Sequence, residues 1–292
     1  MFIIISLMDL LYREVLEQLV KENCITKIAN DQVKTIKRIG KGSQSQVWMA
    51  EYKGETVAKK QLIQYDIRCI IHEIAILSKL EHKAIPKFHG VILDEEKNEM
   101  SYVTSYINGR PLDEIDVNLL SFDLKVFILK QISKILTFVH ANNCVHRDIK
   151  AENIMLDEDF NVFLIDFGIS KVLSDVDSIL TRAKGTINYL PPEVFDTSHS
   201  NENGQIISLV TPGVDVWGFA CLVSYIFSGI VPWRHKFKKD VLIQKALVKR
   251  QEFPIPDVIK EQKILDIIKL GTNLDLRSRI SMKDLDIHVQ KL

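Results

Sequence analysis

Three stretches of the chain repeat apolar side chains three or four positions apart. The first two stripes consist of Ile70, Ile71, Ile74, Ala75, Ile76 and Leu77, and of Leu124, Phe127, Ile128, Ile132, Ile135, Leu136 and Val139. The third stripe, near the amino terminus, consists of Met8, Leu11, Val15, Leu16, Leu19 and Val20. Because side chains at this spacing share one side of a helix, each stripe predicts an amphipathic helix with one buried face.

Other stretches have a strand-like or irregular pattern. The segment from Met100 to Gly109 predicts a strand that runs into a flexible connection, and Val162 to Ile165 is a short apolar run. Positions 196–211 show no hydrophobic period and are rich in turn residues. This segment is therefore predicted to be a surface loop, inserted between two regular elements.

Composition limits the class of protein. The chain has 292 residues, 46% of them hydrophobic, and 38 basic residues are balanced by 38 acidic ones. This is enough for a globular unit with a large core, and the balanced charge argues against nucleic acid as a partner. The most basic run is 234–239, which predicts a solvated loop, with a docking role as the alternative.

The cysteines and the amino terminus bear on the compartment. Cys24, Cys69, Cys144 and Cys221 lie far apart, so they indicate neither a zinc site nor a disulfide framework, and Cys144 reads as a core residue. The apolar run 2–5 is too short to span a bilayer and makes a poor signal peptide. We expect a cytoplasmic protein without a membrane span. For the amino-terminal residues, the alternative is that Met1 is an internal residue of a longer protein.

The most informative string is His-Arg-Asp-Ile-Lys-Ala-Glu-Asn at 146–153, followed by Asp-Phe-Gly at 166–168. If about one residue in twenty matches each fixed position, the first string alone arises by chance in roughly one chain in ten thousand of this length. Unrelated surface carboxylates would explain any one of these residues but not the set. The two strings together therefore indicate phosphoryl transfer.

The residue types fit that chemistry. A phosphoryl group in flight spreads negative charge over three oxygens, so catalysis needs metal ions on the phosphates and a carboxylate aimed at the acceptor hydroxyl. Asp148 would orient that hydroxyl and take its proton, and Lys150 would neutralise the migrating phosphate. Asp166 and Asn153 supply the hard oxygen ligands that Mg²⁺ prefers.

With these motifs the chain resembles the eukaryotic protein kinase domain. The resemblance implies an α+β, bilobal fold, with a small antiparallel β-sheet lobe that holds one main helix and a larger, mainly helical lobe. It implies ATP and Mg²⁺ as cofactors, bound between the lobes, and a protein substrate. We predict an extension at 1–32 that contains an amphipathic helix, and a kinase domain at 33–292, divided into lobes at about 33–107 and 108–292.

The resemblance extends to a glycine-rich phosphate loop at 39–47. Gly40 and Gly42 match its first two glycines, and Ser45 stands where the family has the third. Glycines there would let backbone N–H groups approach the phosphates. Val47, at the end of the loop, belongs to the implied nucleotide-binding set.

The resemblance also assigns a lysine to the α- and β-phosphates. Lys60 follows Ala58 by two positions, as the family pattern requires, and Lys59 should point to the opposite face of the strand. A buried lysine needs a partner, which Glu73 on the following helix would supply. The alternative is that Glu73 is an ordinary solvated charge.

The implied adenine contacts follow. Thr104 would be the gatekeeper, and the backbones of Ser105 and Ile107 would bond adenine. Met155 completes the nucleotide-binding set implied by the resemblance.

The segment from Gly168 to Lys184 resembles an activation loop. Its candidate phosphorylation sites are Ser174, Ser178 and Thr181. A phosphate there would pair with Arg147. The alternative is a constitutively ordered loop, in which Arg147 meets Asp175 or Asp177.

Two later acids match structural positions of the family. Glu193 should pair with Arg279, with Arg277 as the competing choice, and Asp215 should brace the catalytic loop from a buried helix. Lys150 and Thr186 resemble residues of serine/threonine kinases. The stretch 51–58 and the short gap from Lys60 to Glu73 are most similar to the tyrosine kinase-like group.

The resemblance therefore implies a serine/threonine protein kinase that transfers the γ-phosphate of ATP. A pseudokinase that acts as a nucleotide-binding scaffold is the alternative, and Ser45 is its only supporting feature. A small-molecule phosphotransferase is a third hypothesis, which the peptide-holding residues Gly185 to Glu193 disfavour.

Overall fold

The computed structural model describes residues 14, 18, 20–22, 25–41, 45–63, 67–94, 99–172, 179–181, 185–196 and 208–292. The chain divides into two compact units, Met1–Asn108 and Gly109–Leu292. No helix among the described residues is both long and apolar enough to cross a membrane.

The first unit is built on a five-stranded antiparallel sheet in the order β1-β2-β3-β5-β4. Its strands are β1 (Val33–Lys41), β2 (Ser45–Tyr52), β3 (Glu55–Leu62), β4 (Phe88–Asp94) and β5 (Glu99–Ser105). Lys53 and Gly54 join β2 to β3, and both have positive φ, which is the conformation that a two-residue hairpin turn requires. Helix α1 (Ile67–Leu77) follows β3 and buries Ile74, Ile76 and Leu77, as the first stripe predicts.

The segment just before β1 covers the outer edge of β4. Ile28 N donates to Val91 O (2.7 Å), and Val91 N donates to Thr26 O (2.9 Å). A Cβ atom at Gly90 would lie 2.4 Å from Thr26 O, so this close approach requires glycine. The covered edge cannot pair with another chain. Of the predicted amino-terminal helix, Val20 is helical, together with residues 14, 18 and 21; the other residues of that stripe lie outside the described part of the chain.

The second unit is mainly helical. Its helices are α2 (Phe122–Ala141), α3 (Gly213–Ser228), α4 (Asp240–Val248), α5 (Gln262–Gly271) and α6 (Met282–Gln290). Helix α3 is buried along nearly its whole length and packs against α2 and α5. The Ser121 hydroxyl accepts a hydrogen bond from Leu124 N (3.2 Å) and caps α2, and Gly229 ends α3 in the left-handed conformation that favours glycine.

Short strands fix the loops of this unit. They are β6 (Arg110–Pro111), β7 (Cys144–Val145), β8 (Ile154–Leu156), β9 (Val162–Leu164), β10 (Lys171–Val172), β11 (Ile179–Thr181) and β12 (Ser208–Val210). Strands β6, β8 and β9 form one antiparallel sheet, and β7 pairs with β10. Strand β11 pairs with β12.

Two sequence-based predictions are wrong in part. Positions 196–211 were predicted to be a loop throughout, but Ser208–Val210 form β12. A three-residue strand made by pairing with a distant segment leaves no period to detect. Phe127, assigned to the buried stripe of α2, is 46% exposed, whereas Ile128, Ile132, Ile135, Leu136 and Val139 are buried. Periodicity predicts which face of a helix is apolar, but it does not predict how much of that face other elements cover.

Candidate active site

The carboxylate of Asp148 accepts hydrogen bonds from three neighbouring residues. Its Oδ2 lies 2.7 Å from Lys150 Nζ and 3.1 Å from Asn153 Nδ2. Its Oδ1 accepts the hydroxyl (3.1 Å) and the backbone N–H (3.2 Å) of Thr186. The donors fix the direction of both oxygens, so a hydroxyl that approaches them meets a preorganised acceptor.

Lys150 and Asn153 are placed by the loop that holds them. Lys150 Nζ also donates to the Thr186 hydroxyl (2.9 Å), which joins the lysine, the threonine and Asp148 in one ring of hydrogen bonds. Asn153 ends the 3-10 turn Ala151–Asn153, and its Nδ2 also donates to the backbone carbonyl of Asp148 (2.8 Å). The structure thus brings together three of the four residues predicted to be catalytic, Asp148, Lys150 and Asn153.

Asn153 and Asp166 fit the donor set that Mg²⁺ requires. Asn153 uses its amide nitrogen on Asp148, which leaves its Oδ1 for a cation. Ile165 N donates to the Asn153 carbonyl (3.0 Å), so Asp166 follows directly on a residue bonded to Asn153. Among the described residues no three acids, histidines or cysteines form a metal-holding cluster. Because Mg²⁺ usually keeps water and substrate phosphate oxygens beside one or two protein ligands, phosphate oxygens and water would complete the shell.

Asp215, on α3, braces the catalytic loop. Its carboxylate accepts the backbone N–H groups of His146 (2.7 Å) and Arg147 (2.6 Å) and contacts His140 Nε2 (2.8 Å). Burial alone would raise the pKa of Asp215, but the hydrogen bond and charge of His140, with the charge of His146 and the Arg147 N–H, lower it overall. The predicted brace is confirmed. It holds Arg147 at a φ of 72°, a conformation uncommon for a residue with a side chain.

In the first unit, Glu73 is 3% exposed and has two hydrogen-bond donors. Lys60 Nζ lies 2.9 Å from its Oε1, and the Tyr102 hydroxyl donates to the same oxygen at 2.6 Å. Lys60 and Tyr102 face each other across β3 and β5, and Lys60 Nζ lies 5.5 Å from the centre of the Tyr102 ring. The predicted ion pair is confirmed, and the reading of Glu73 as a solvated charge is wrong.

The residues near Lys60 on the sheet include several that were predicted to bind nucleotide. Lys59 points away, with its Nζ 3.1 Å from Asn30 Oδ1. Val47 lies between Gly40 on β1 and Lys60 on β3 in the strand register, and Ala58 pairs with Met49. A Cβ atom at Gly40 would meet Val47 at an ordinary 3.5 Å, so packing does not require glycine there. Gly42 lies outside the described residues.

The predicted adenine contacts lie at the end of β5. Thr104 is 9% exposed. Ser105 N already donates to Lys87 O (2.8 Å), so only the Ser105 carbonyl remains for an adenine contact. Within the described residues, the Ile107 backbone forms no hydrogen bond. In the second unit, Met155 lies on β8 opposite Phe163 and is partly buried.

The structure describes the predicted activation loop, 168–184, in pieces. Arg147 is 6% exposed, and its Nη1 donates to Ile169 O (3.1 Å). Thr181 lies in β11. Ser174 and Ser178, like Asp175 and Asp177, fall outside the described residues. The pairing of Arg147 with a phosphate therefore stays a prediction.

The predicted Glu193–Arg279 ion pair is confirmed. Arg279 Nη1 and Nη2 lie 2.5 and 3.0 Å from the two oxygens of Glu193, and Nη1 also donates to Gly213 O (2.9 Å). Both residues are buried, and the guanidinium lies 5.1 Å from the centre of the Trp217 ring. Arg277, the competing choice, is exposed.

Sequence reasoning missed two members of these clusters. Tyr102 binds Glu73, and His140 binds Asp215. The register of β3 and β5 places Tyr102 beside Lys60, but this pairing is not readable from the sequence. No sequence signal indicates His140, because its contact joins α2 to α3 through tertiary packing alone.

Comparison with known proteins gives the same picture. The chain is 29% identical over 273 residues to calcium-dependent protein kinase 4 of Plasmodium falciparum, covering 88% of this chain and 49% of that protein. It is 27% identical over 214 residues to the serine/threonine-protein kinase cds1 of Schizosaccharomyces pombe, covering 72% of this chain and 45% of the relative. It is 27% identical over 252 residues to human 3-phosphoinositide-dependent protein kinase 1, covering 80% of this chain and 43% of that protein.

The chain spans about half the length of these relatives or somewhat less. The family described as the protein kinase domain matches residues 33–289. This match includes the antiparallel sheet of the first unit, the helices of the second and the Asp148 cluster. The chain belongs to the protein kinase domain family.

Proposed function

We propose that this protein is a serine/threonine protein kinase that transfers the γ-phosphate of Mg-ATP to a hydroxyl of a protein substrate. The observation that supports this most strongly is the Asp148 carboxylate, whose oxygens are both oriented by Lys150, Asn153 and Thr186. A scaffold that binds nucleotide without catalysing a reaction would have no need for a carboxylate preorganised in this way.

In this reaction Asp148 orients the acceptor hydroxyl and takes its proton as the oxygen attacks the γ-phosphorus. Lys150, 2.7 Å from Asp148 Oδ2, supplies positive charge to the migrating phosphoryl group. Bound Mg²⁺ would neutralise the phosphates and hold them in line. Asn153 Oδ1 and the Asp166 carboxylate are its proposed ligands.

The nucleotide contacts are proposed from the first unit and from Met155. Lys60, held by Glu73, would bind the α- and β-phosphates, and the backbone around Gly40 and Gly42 would approach them. Adenine would bond the Ser105 carbonyl and the Ile107 backbone. The side chains that would line the base are Val47, Ala58, Thr104 and Met155.

The preference for serine or threonine is supported by the Lys150–Thr186 contact at 2.9 Å. One relative, cds1, is named a serine/threonine-protein kinase. The tyrosine kinase-like assignment, the division into 1–32 and 33–292, and a cytoplasmic location remain predictions from sequence.

The test is a kinase assay on a dephosphorylated generic protein with labelled Mg-ATP, comparing wild type with Asp148→Asn. We expect phosphate on serine and threonine with wild type, and loss of activity with an unchanged melting temperature in the variant. Asp257→Asn, at an exposed acid, is the matched control and should remain active. Wild-type activity no higher than that of Asp148→Asn, with ATP still bound, would favour the pseudokinase. Transfer only to a small molecule would favour the small-molecule phosphotransferase.

A further inference from the structure

Helix α4 exposes apolar side chains on the face that points away from the protein. Its inward face is formed by Ile243, Ala246 and Leu247, which are at most 2% exposed. On the outward face Val241 and Val248 are 51% and 56% exposed, and the flanking Leu242 is 41% exposed. Single exposed apolar residues are ordinary, but several neighbours on one helix face mark an interaction surface.

The same helix and the loop before it are strongly basic. Between Arg234 and Arg250 the chain has seven lysines and arginines and a single acid, Asp240. The whole chain is neutral at pH 7. The excess charge is therefore local, and it creates a positive potential that attracts acidic partners.

The structure separates the basic residues that stabilise the fold from those available to a partner. Arg234 pairs with Asp240, and Arg250 donates to Leu274 O (2.7 Å). The exposed lysines of this stretch are Lys236, Lys238, Lys239, Lys245 and Lys249, and none of them forms an ion pair within the described residues.

On α4, Lys245 lies between Val241 and Val248 at helical spacing, and Lys249 lies one turn beyond Lys245. We call Val241, Leu242, Lys245, Val248 and Lys249 the α4 surface. It offers apolar contacts interleaved with unpaired positive charges.

The α4 surface is connected to the catalytic residues of the same unit. Helix α4 packs against the 3-10 turns Ile187–Tyr189 and Pro192–Phe195, and the first of these turns follows directly on Thr186. Asn188, in that turn, donates to Pro232 O (2.8 Å) and accepts from Arg234 (3.3 Å), at the start of the basic loop. A protein bound to α4 would thus be anchored beside the segment that contacts Asp148.

We propose that the α4 surface docks acidic protein substrates, through a segment in which carboxylates alternate with apolar side chains. The inference rests on the proposed kinase activity and specifies the substrate class. Apolar side chains of the substrate would cover Val241, Leu242 and Val248, while its carboxylates pair with Lys245 and Lys249. An anionic membrane is the competing occupant, but the packing of α4 against the Thr186 segment favours a protein acceptor.

The test uses dephosphorylated β-casein, an acidic protein, and a short peptide containing only one of its phosphorylated serines and the immediate neighbours. The variant is Lys245→Glu with Lys249→Glu. The control, Lys269→Glu with Lys283→Glu, makes the same charge change at exposed lysines on α5 and α6. We expect the docking variant to raise KM for casein about fivefold or more, because two attractive charges become repulsive. kcat, KM for ATP and KM for the short peptide should match wild type and the control.

Val241→Ser with Val248→Ser should raise KM for casein in the same way without a change in charge. Equal casein KM values in wild type and both docking variants would overturn the proposal, and so would an equal rise for the short peptide. Loss of binding to phosphatidylserine vesicles, with KM for casein unchanged, would assign the surface to a membrane. If wild type lacked kinase activity, the proposed function would fail separately. Fluorescence anisotropy of labelled casein, titrated with wild type and with the Lys245→Glu, Lys249→Glu variant, would still measure docking.

Discussion

Thr186 binds Asp148 twice, through its hydroxyl at 3.1 Å and through its backbone N–H at 3.2 Å, and both donate to Oδ1. The same hydroxyl accepts Lys150 Nζ at 2.9 Å. Thr186 lies just beyond the predicted activation loop, 168–184, so the carboxylate proposed to orient the substrate is itself oriented by a residue that follows this loop. Displacement of Thr186 would remove two of the hydrogen bonds to Asp148.

Removal of the Thr186 hydroxyl should lower kcat. Thr186→Val keeps the backbone hydrogen bond and the side-chain volume but leaves Lys150 and Asp148 without their common partner. We expect a loss of about ten- to a hundredfold in kcat, with KM for ATP little changed, since misplacement of a catalytic group by about 1 Å can lower the rate about a hundredfold. Thr186→Ser retains the hydroxyl and should stay near wild type. A Thr186→Val enzyme as fast as Thr186→Ser would contradict this role.

Tyr102 should support Lys60 through Glu73. Tyr102→Phe removes the 2.6 Å hydrogen bond to a buried carboxylate and should lower the free energy of unfolding by about 1–2 kcal/mol. It should also raise KM for ATP, because Lys60 is then the one donor that holds Glu73 among the described residues. Denaturant melts and ATP kinetics measure the two effects. Tyr106→Phe is the control, since the Tyr106 hydroxyl has no hydrogen bond within the described residues. Equal stability of the two variants would exclude the proposed support.

Loss of the Asp215 charge should destabilise the catalytic loop. In Asp215→Asn one acceptor oxygen becomes a donor that faces a backbone N–H, at an expected cost of about 1–3 kcal/mol. The pKa of Asp215 is lowered in the folded state. Its contribution is therefore fully present above the unfolded pKa of about 3.9 and is lost only as pH falls through the lower folded pKa.

The destabilisation by Asp215→Asn should thus not shrink between pH 7.5 and pH 5, a range chosen to lie above about 3.9. Denaturant unfolding of wild type and variant at both pH values measures this. A difference that disappeared by the lower pH would show that the carboxylate is protonated in the fold and that the brace is not ionic.

The Glu193–Arg279 pair should require arginine. Arg279→Lys cannot contact both oxygens of Glu193 and the Gly213 carbonyl at once. We expect a loss of about 2–4 kcal/mol in the free energy of unfolding, because the Glu193 carboxylate is left poorly paired in a buried site. Arg277→Lys, two positions earlier and exposed, should be neutral. A neutral Arg279→Lys would contradict the structural importance of the pair.

Site residues were predictable from the sequence when their chemistry restricts the residue type. They were not predictable when only the tertiary pairing of distant segments brings them together. A buried lysine demands an acid, so Glu73 was identifiable from its helix face, and Arg279 was identifiable from its motif. Tyr102 was not, because any residue opposite Lys60 in the register would satisfy the sheet. Strand β12 was not, because three residues have no measurable period. The exposure of Phe127 depends on whether another element covers that part of α2, which its position in the stripe does not reveal.

Strand β12 ends at Val210, and α3 begins at Gly213. The strand pairs with β11 in the predicted activation loop, and the first turn of α3 contains Asp215, which holds the catalytic loop. The activation loop and the catalytic loop are thus both held by residues between Ser208 and Asp215. An insertion or deletion between Val210 and Asp215 would move both loops relative to each other. We therefore expect related sequences to vary in length before β12 and not after it.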